Sequence, residues 1–121
     1  MFSIKEKVIV VTGGNGLIGN QMVSTFREQG AVVIAADIYF ETLGADDIIL
    51  DISDEYSVKK GIAAIVEKYN RIDGWVNNAY PRTKDWAAKF ENIHLESWHK
   101  NVDMHLNGYF LCCQVALAQM K

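Results

Sequence analysis

Proline is almost missing from this 121-residue chain, and its single copy, Pro81, leaves the rest free to run as uninterrupted helix or strand. Cysteine is nearly as scarce. Its two copies, Cys112 and Cys113, are neighbours within a helical pattern, which disfavours a bond between them and reads as reduced core thiols of a cytoplasmic protein. No apolar run is long: MFSIKEKVIVVTGG holds only the short run Val8–Val11, which excludes a signal-peptide core or a membrane span there. Positive charge is never concentrated beyond Lys59-Lys60 and the net charge is −3, which argues against nucleic acid and anionic membranes as partners. His, Cys and carboxylates show no metal-ligand spacing, so no metal is expected. Repeats and low-complexity linkers are absent too. What is present is apolar mass: half the residues are hydrophobic, with 3 Trp, 5 Tyr and 5 Phe, enough for one domain spanning 1–121 to bury a core.

The β-branched run Lys7–Thr12 is short and apolar, as a strand buried on both faces should be. A glycine-rich turn follows it, then a helical stretch over Leu17–Gln29 closed by Gly30. Ala31–Ala36 predicts a second strand ending at Asp37, and Asp47–Leu50 a third ending at Asp51. Ser53 or Asp54 caps a helix over Glu55–Tyr69, and Ile72–Asn77 reads as a fourth strand. A polar, aromatic loop from Ala79 to about Leu95 precedes a long helix from Glu96 to the end. The order β-α-β-β-α-β-α predicts an α/β fold, a Rossmann-type doubly wound parallel sheet in partial form, with strand order 3-2-1-4 and later strands absent.

The stretch TGGNGLIG, Thr12–Gly19, sits where a strand meets a helix. Gly13 permits the tight turn, Gly16 lets the backbone approach a pyrophosphate, and Gly19 allows close packing of helix on strand. Unpaired amides and the positive end of the helix dipole then face the phosphates. A glycine trio alone could be a flexible turn. Here a second strand ends in Asp37, about 20 residues beyond the last glycine, the spacing of a carboxylate that accepts from a ribose 2′-hydroxyl. That carboxylate would repel a 2′-phosphate, and Asn15 and Ile38 beside it bring no compensating charge. The expected cofactor is therefore NAD rather than NADP, with Asn15, Leu17 and Ile18 in the turn that meets it.

These features resemble the short-chain dehydrogenases/reductases. Four stretches carry the resemblance: TGGNGLIG (12–19), Asp37, LDISD (50–54) and NNA (77–79). It implies that Asp51 bonds the adenine amino group with the Ile52 backbone beside it. Asn78, Ala79 and Tyr80 would pass close to the adenosine ribose, and Asn77 would brace the central strands. Two positions depart from the family pattern. Leu17 stands where most classical members have glycine, so the Gly13/Gly16/Gly19 spacing is closer to the extended subgroup. Tyr80 stands at another usual glycine. Within the family, NNAYPRTKDW and WHKNVDMHLNGYFLCCQ resemble bacterial flagellin-modification and surface-sugar oxidoreductases, which implies a small-molecule substrate derived from a sugar.

The family's catalytic Ser and Tyr-x-x-x-Lys normally come well after position 121, so the chain alone is expected to be inactive. Two such strings do occur. Tyr56–Lys60 lies on a helix near the adenine end, and Tyr80–Lys84 contains Pro81, which removes the helical meaning of its spacing. The family's helix Asn aligns with His105, a candidate to hold a water or move a proton. Asn107, two residues on, faces another way. Arg82 and Lys84, with Trp86 and Phe90, are the candidate substrate contacts.

From Val102 to Met120 the last helix is apolar nearly all round, which predicts burial on most faces. The resemblance implies a homo-oligomer through the helix 96–121. Two classes remain open on the residues: part of an NAD-dependent oxidoreductase, or a non-catalytic nucleotide-binding or oligomerisation module.

Overall fold

The computed structural model describes residues 2–121. Strands β1 (Val8–Thr12), β2 (Val32–Asp37), β3 (Asp47–Ile49) and β4 (Gly74–Val76) form one sheet in the order β3-β2-β1-β4. Every pairing is parallel. The expected α/β architecture and strand order 3-2-1-4 are both observed.

Alternation along the strands divides the core into two layers. Val8, Val10, Ile34 and Ala36 face Val58, Ile62 and Ile65 of helix α2 (Glu55–Tyr69), together with Cys112 and Ala116 of the last helix. Ile9, Val11, Val33 and Ala35 face Val23, Met22 and Phe26 of helix α1 (Leu17–Glu28). One helix therefore covers one face of the sheet, and two cover the other. Asp54, not Ser53, caps α2, accepting from the amides of Tyr56 and Ser57.

The structure corrects three expectations. β4 is shorter than Ile72–Asn77, because beyond Val76 the Asn78 amide turns to the Thr12 hydroxyl instead of pairing along the strand. The long helix is two helices, α3 (Leu95–Val102) and α4 (Gly108–Met120), joined by a π turn at Asp103–Asn107, and a 3-10 turn (Phe90–Asn92) precedes them. Only one stripe of this helix is buried, formed by Met104, Gly108, Cys112 and Ala116. Val102, Leu106, Phe110 and Leu117 are exposed, and so is Cys113, which is therefore not core packing. Among the described residues, no helix is long and apolar enough to cross a membrane.

Candidate functional site

The C-terminal ends of the parallel strands meet at an open cleft of about 550 Å³. Clefts at this end of an open α/β sheet are where such folds bind ligands. β1 delivers Thr12 and the glycine turn, β2 delivers Asp37, β3 leads to Leu50–Ile52, and β4 leads to Asn78–Arg82. Of the residues singled out in the sequence, Gly13, Gly16, Leu17, Ile18, Gly19, Asp37, Ile38, Asp51, Ile52, Asn78, Ala79 and Tyr80 all line it, as does Arg82. Asn15 and His105 do not.

The turn is built around its glycines. Gly13 has φ +65°, the left-handed region that favours glycine, and its carbonyl accepts from the Gly16 amide. A Cβ on Gly19 would stand 2.0 Å from the Gly13 oxygen, so α1 can enter this closely only with glycine there. The α1 N-terminus has no side-chain cap and no acidic residue in its first turn. Its amides and dipole thus lack a resident anion, and the glycines leave room for one to approach.

Asp37 is held from two sides. Its Oδ1 accepts from the Ile38 amide at 2.8 Å and its Oδ2 from the Asn15 amide at 3.0 Å. The Asn15 side chain then donates to the Tyr39 carbonyl at 2.8 Å, tying the glycine turn to the end of β2. Asn15 thus reaches the site through Asp37 rather than through the cleft wall. At the β3 end, Asp51 Oδ1 accepts from the Ser53 amide and hydroxyl, while the Asp51 amide donates to Ser57. Asp51 Oδ2 has no hydrogen-bond partner among the described residues.

Thr12 was not legible as a site residue. Its buried hydroxyl donates to the Val76 carbonyl and accepts from the amides of Asn78 and Ala79, each at 3.1 Å. A polar side chain ending an apolar strand just before the glycines was the available signal. The side chains of the two asparagines that follow β4 are held as well. Asn78 reaches across to the Gly13 carbonyl at 3.3 Å. Asn77 accepts from Trp75 Nε1 and donates to Cys113 Sγ, linking β4 to α4 instead of bracing the central strands.

His105 stands behind this wall. Its Nε2 meets the Pro81 carbonyl, and its ring centroid lies 4.1 Å from that of Tyr80 and 5.8 Å from that of Trp86. Arg82 is exposed where the cleft opens, whereas Lys84, also exposed, does not line it.

The glycine turn, the carboxylate at the end of β2 and the open helix terminus fit a dinucleotide: a concave phosphate seat beside a fixed acceptor for a ribose. Comparison with known proteins agrees. A model of the short chain dehydrogenase family matches residues 7–121. The chain belongs to that family. The family's members are oxidoreductases of the NAD(P) type. A 3-oxoacyl-(acyl-carrier-protein) reductase of Thermotoga maritima is 31% identical over 97% of this chain and 51% of its own length. The post-translational flagellin modification protein A of Campylobacter coli is 29% identical over 92% of this chain and 49% of its own. An NAD-dependent glycerol dehydrogenase of Listeria innocua is 31% identical over 98% and 49%. Among solved structures, the ligand-free aldohexose dehydrogenase of Thermoplasma acidophilum superposes with a TM-score of 0.85 at 29% identity, over 97% of this chain and 45% of its own. The chain thus spans about half the length of these relatives.

Proposed function

We propose that these residues are the NAD(H)-binding part of a short-chain oxidoreductase that moves a hydride between NAD and an alcohol or carbonyl of a sugar or sugar nucleotide. The observation that carries the cofactor choice is the Asp37 carboxylate, fixed by two backbone amides at the edge of the cleft. A charge so held accepts from vicinal ribose hydroxyls and repels a 2′-phosphate. The glycerol dehydrogenase named as NAD-dependent supports the same choice. A sugar substrate is supported by the relative named for flagellin modification and the neighbour named as an aldohexose dehydrogenase.

In this reading the glycine turn and the α1 N-terminus bind the pyrophosphate, Asp37 orients the adenosine ribose, and Asp51 with Ile52 meets the adenine. Asn78 and Ala79 border the ribose, and Thr12 keeps their amides in place. Bound there, the nicotinamide supplies or accepts the hydride. Trp86, Phe90 and Arg82 are the substrate-facing candidates, with Arg82 placed for an anionic group. The general acid is not among these residues, so we expect the 121-residue chain alone to turn over no carbonyl.

Calorimetry of the purified chain tests the reading. NAD should bind and NADP should bind at least about tenfold more weakly. Asp37→Ala should weaken NAD and narrow the gap between the two. Equal affinity for both cofactors in the unmodified chain would sink the NAD assignment, and NADH oxidation by this chain with any sugar carbonyl would sink the expected inactivity.

A further inference from the structure

One face of the α3–α4 helix meets the exit of β4 residue by residue. Asn101, buried, accepts from the Thr83 amide at 3.0 Å and donates to the Thr83 hydroxyl at 2.9 Å. Four residues on, His105 Nε2 meets the Pro81 carbonyl. Four further on, the Tyr109 hydroxyl donates to the Ala79 carbonyl. Helix residues 101, 105 and 109 thus pair with loop residues 83, 81 and 79, in antiparallel order.

Geometry explains why such a ladder can form. Four helical residues rise about 6 Å, and two residues of extended chain advance about 6.6 Å, so the two repeats nearly match. Helical phase is the obstacle. Eight residues of uniform α-helix make two turns and about 80° more, which would carry Tyr109 off the face of Asn101. The π turn at Asp103–Asn107 winds less per residue and takes up that excess. The π turn is thus the local feature that keeps all three contacts on one face.

A carbonyl only accepts, so His105 Nε2 carries the hydrogen in this contact. The Tyr80 ring lies over the imidazole, and Trp86 meets both rings edge-on. The segment so fastened, Ala79–Arg82, lines the cleft beyond β4, while Asp37 and Ile38 line it at the end of β2, on the other side of β1. With the adenosine ribose between Asp37 and Asn78–Ala79, as proposed above, the other half of the cofactor would lie against Tyr80–Arg82. This moves Tyr80 from the adenosine ribose, where the family resemblance put it, to the nicotinamide side.

We infer that His105, the middle contact of this ladder, is a positioning residue that fixes the Tyr80–Arg82 wall and so sets affinity for the nicotinamide-side half of the cofactor, leaving the adenosine end unaffected. The inference rests on the cofactor reading above. It separates His105 from a proton-transfer role, since the nitrogen in question is engaged by backbone.

The test is calorimetric binding of NAD and of AMP to the 121-residue chain and two variants. His105→Phe keeps a ring for Tyr80 to stack on but removes the donor. His105→Gln loses the ring but keeps a donor at the place of Nε2. His105→Phe should weaken NAD about fivefold, the worth of one hydrogen bond, with AMP unchanged within about twofold. Retained AMP binding also shows that the variant is folded. His105→Gln should bind NAD more tightly than His105→Phe does. Equal losses for NAD and AMP, no loss of NAD, or a Gln variant no better than Phe would each overturn the inference. An unmodified chain that binds neither ligand would instead overturn the cofactor reading itself.

Discussion

At the scale of single residues, the site depends on side chains that are absent as much as on those present. Gly13 takes a positive φ and Gly19 lies within contact of its carbonyl, so the two act as one unit. Gly19→Ala would place a Cβ 2.0 Å from that backbone oxygen, a clash that the Asn78 side chain, 2.7 Å away at Nδ2, could not relieve by moving. Either the turn opens or α1 withdraws from the sheet. We expect a loss of at least about 2 kcal/mol in urea unfolding, within the range seen for overpacked sites, together with loss of NAD binding. An unchanged urea midpoint would show that the turn relaxes freely and that the close approach is not required. Glycine spacing announced this part of the site because backbone conformation is written directly in glycine. Thr12 was harder to see, and so was the reach of Asn78 to the Gly13 carbonyl, since both depend on carbonyls and amides that meet only after the strands are paired.

At the scale of elements, two fastenings flank β4, the short strand at the edge of the sheet. Asp73 precedes it. One carboxylate oxygen accepts from the Val8 amide and the other from the Arg71 guanidinium. Burial pushes its acidity toward a higher pKa, but Arg71, the Val8 amide and nearby Lys7 outweigh this and hold it below the ordinary carboxylate range. Beyond β4, the Thr83 hydroxyl beside Asp85 lowers that carboxyl, helped by Ser97 and the His94 amide against a smaller desolvation. The folded pKa is depressed in both cases. The stabilisation is therefore fully present above the unfolded value, about 3.9, and is lost as pH falls through the folded value. Urea midpoints followed from pH 6 downward should drop below about pH 4. Asp73→Asn should start from a lower midpoint at neutral pH and fall less steeply, and parallel curves for the two proteins would remove Asp73 from the account.

The same elements show which features a sequence exposes. The doubly buried apolar strands follow from side-chain chemistry within a few residues and were readable, and the α2 cap was narrowed to Ser53 or Asp54, of which the structure uses Asp54. The π turn was not, because apolar spacing continues across it without a break and gives no sign of the looser winding. The ladder was equally hidden, since two of its three partners are carbonyls of a loop whose sequence, Ala79–Pro81, says nothing about where they point. His105 attracted attention through its alignment with a family position, while its contact with Pro81 depends on a helix phase that only the folded backbone reveals.

At the scale of the molecule, the α3–α4 helix divides its surface three ways. One stripe packs on the sheet layer, one carries the ladder, and one is apolar and open. The open stripe runs through Trp98, Val102, Leu106 and Phe110, each four residues from the last, and Leu106 and Phe110 are 67% and 66% exposed. An apolar row of this length is costly in water and suits association with a second copy about a two-fold axis, where each patch meets itself. The outer edge of β4 offers a competing route through backbone pairing. One variant separates them. In Leu106→Glu with Phe110→Glu, four carboxylates would face one another across a helix-to-helix contact, while the strand edge is untouched. We expect sedimentation to find the unmodified chain larger than a monomer and the double variant monomeric. A double variant that stays associated would assign the contact to the β4 edge. In that case a lysine replacing Val76 should disperse it, because a charge on the edge strand opposes pairing with another chain.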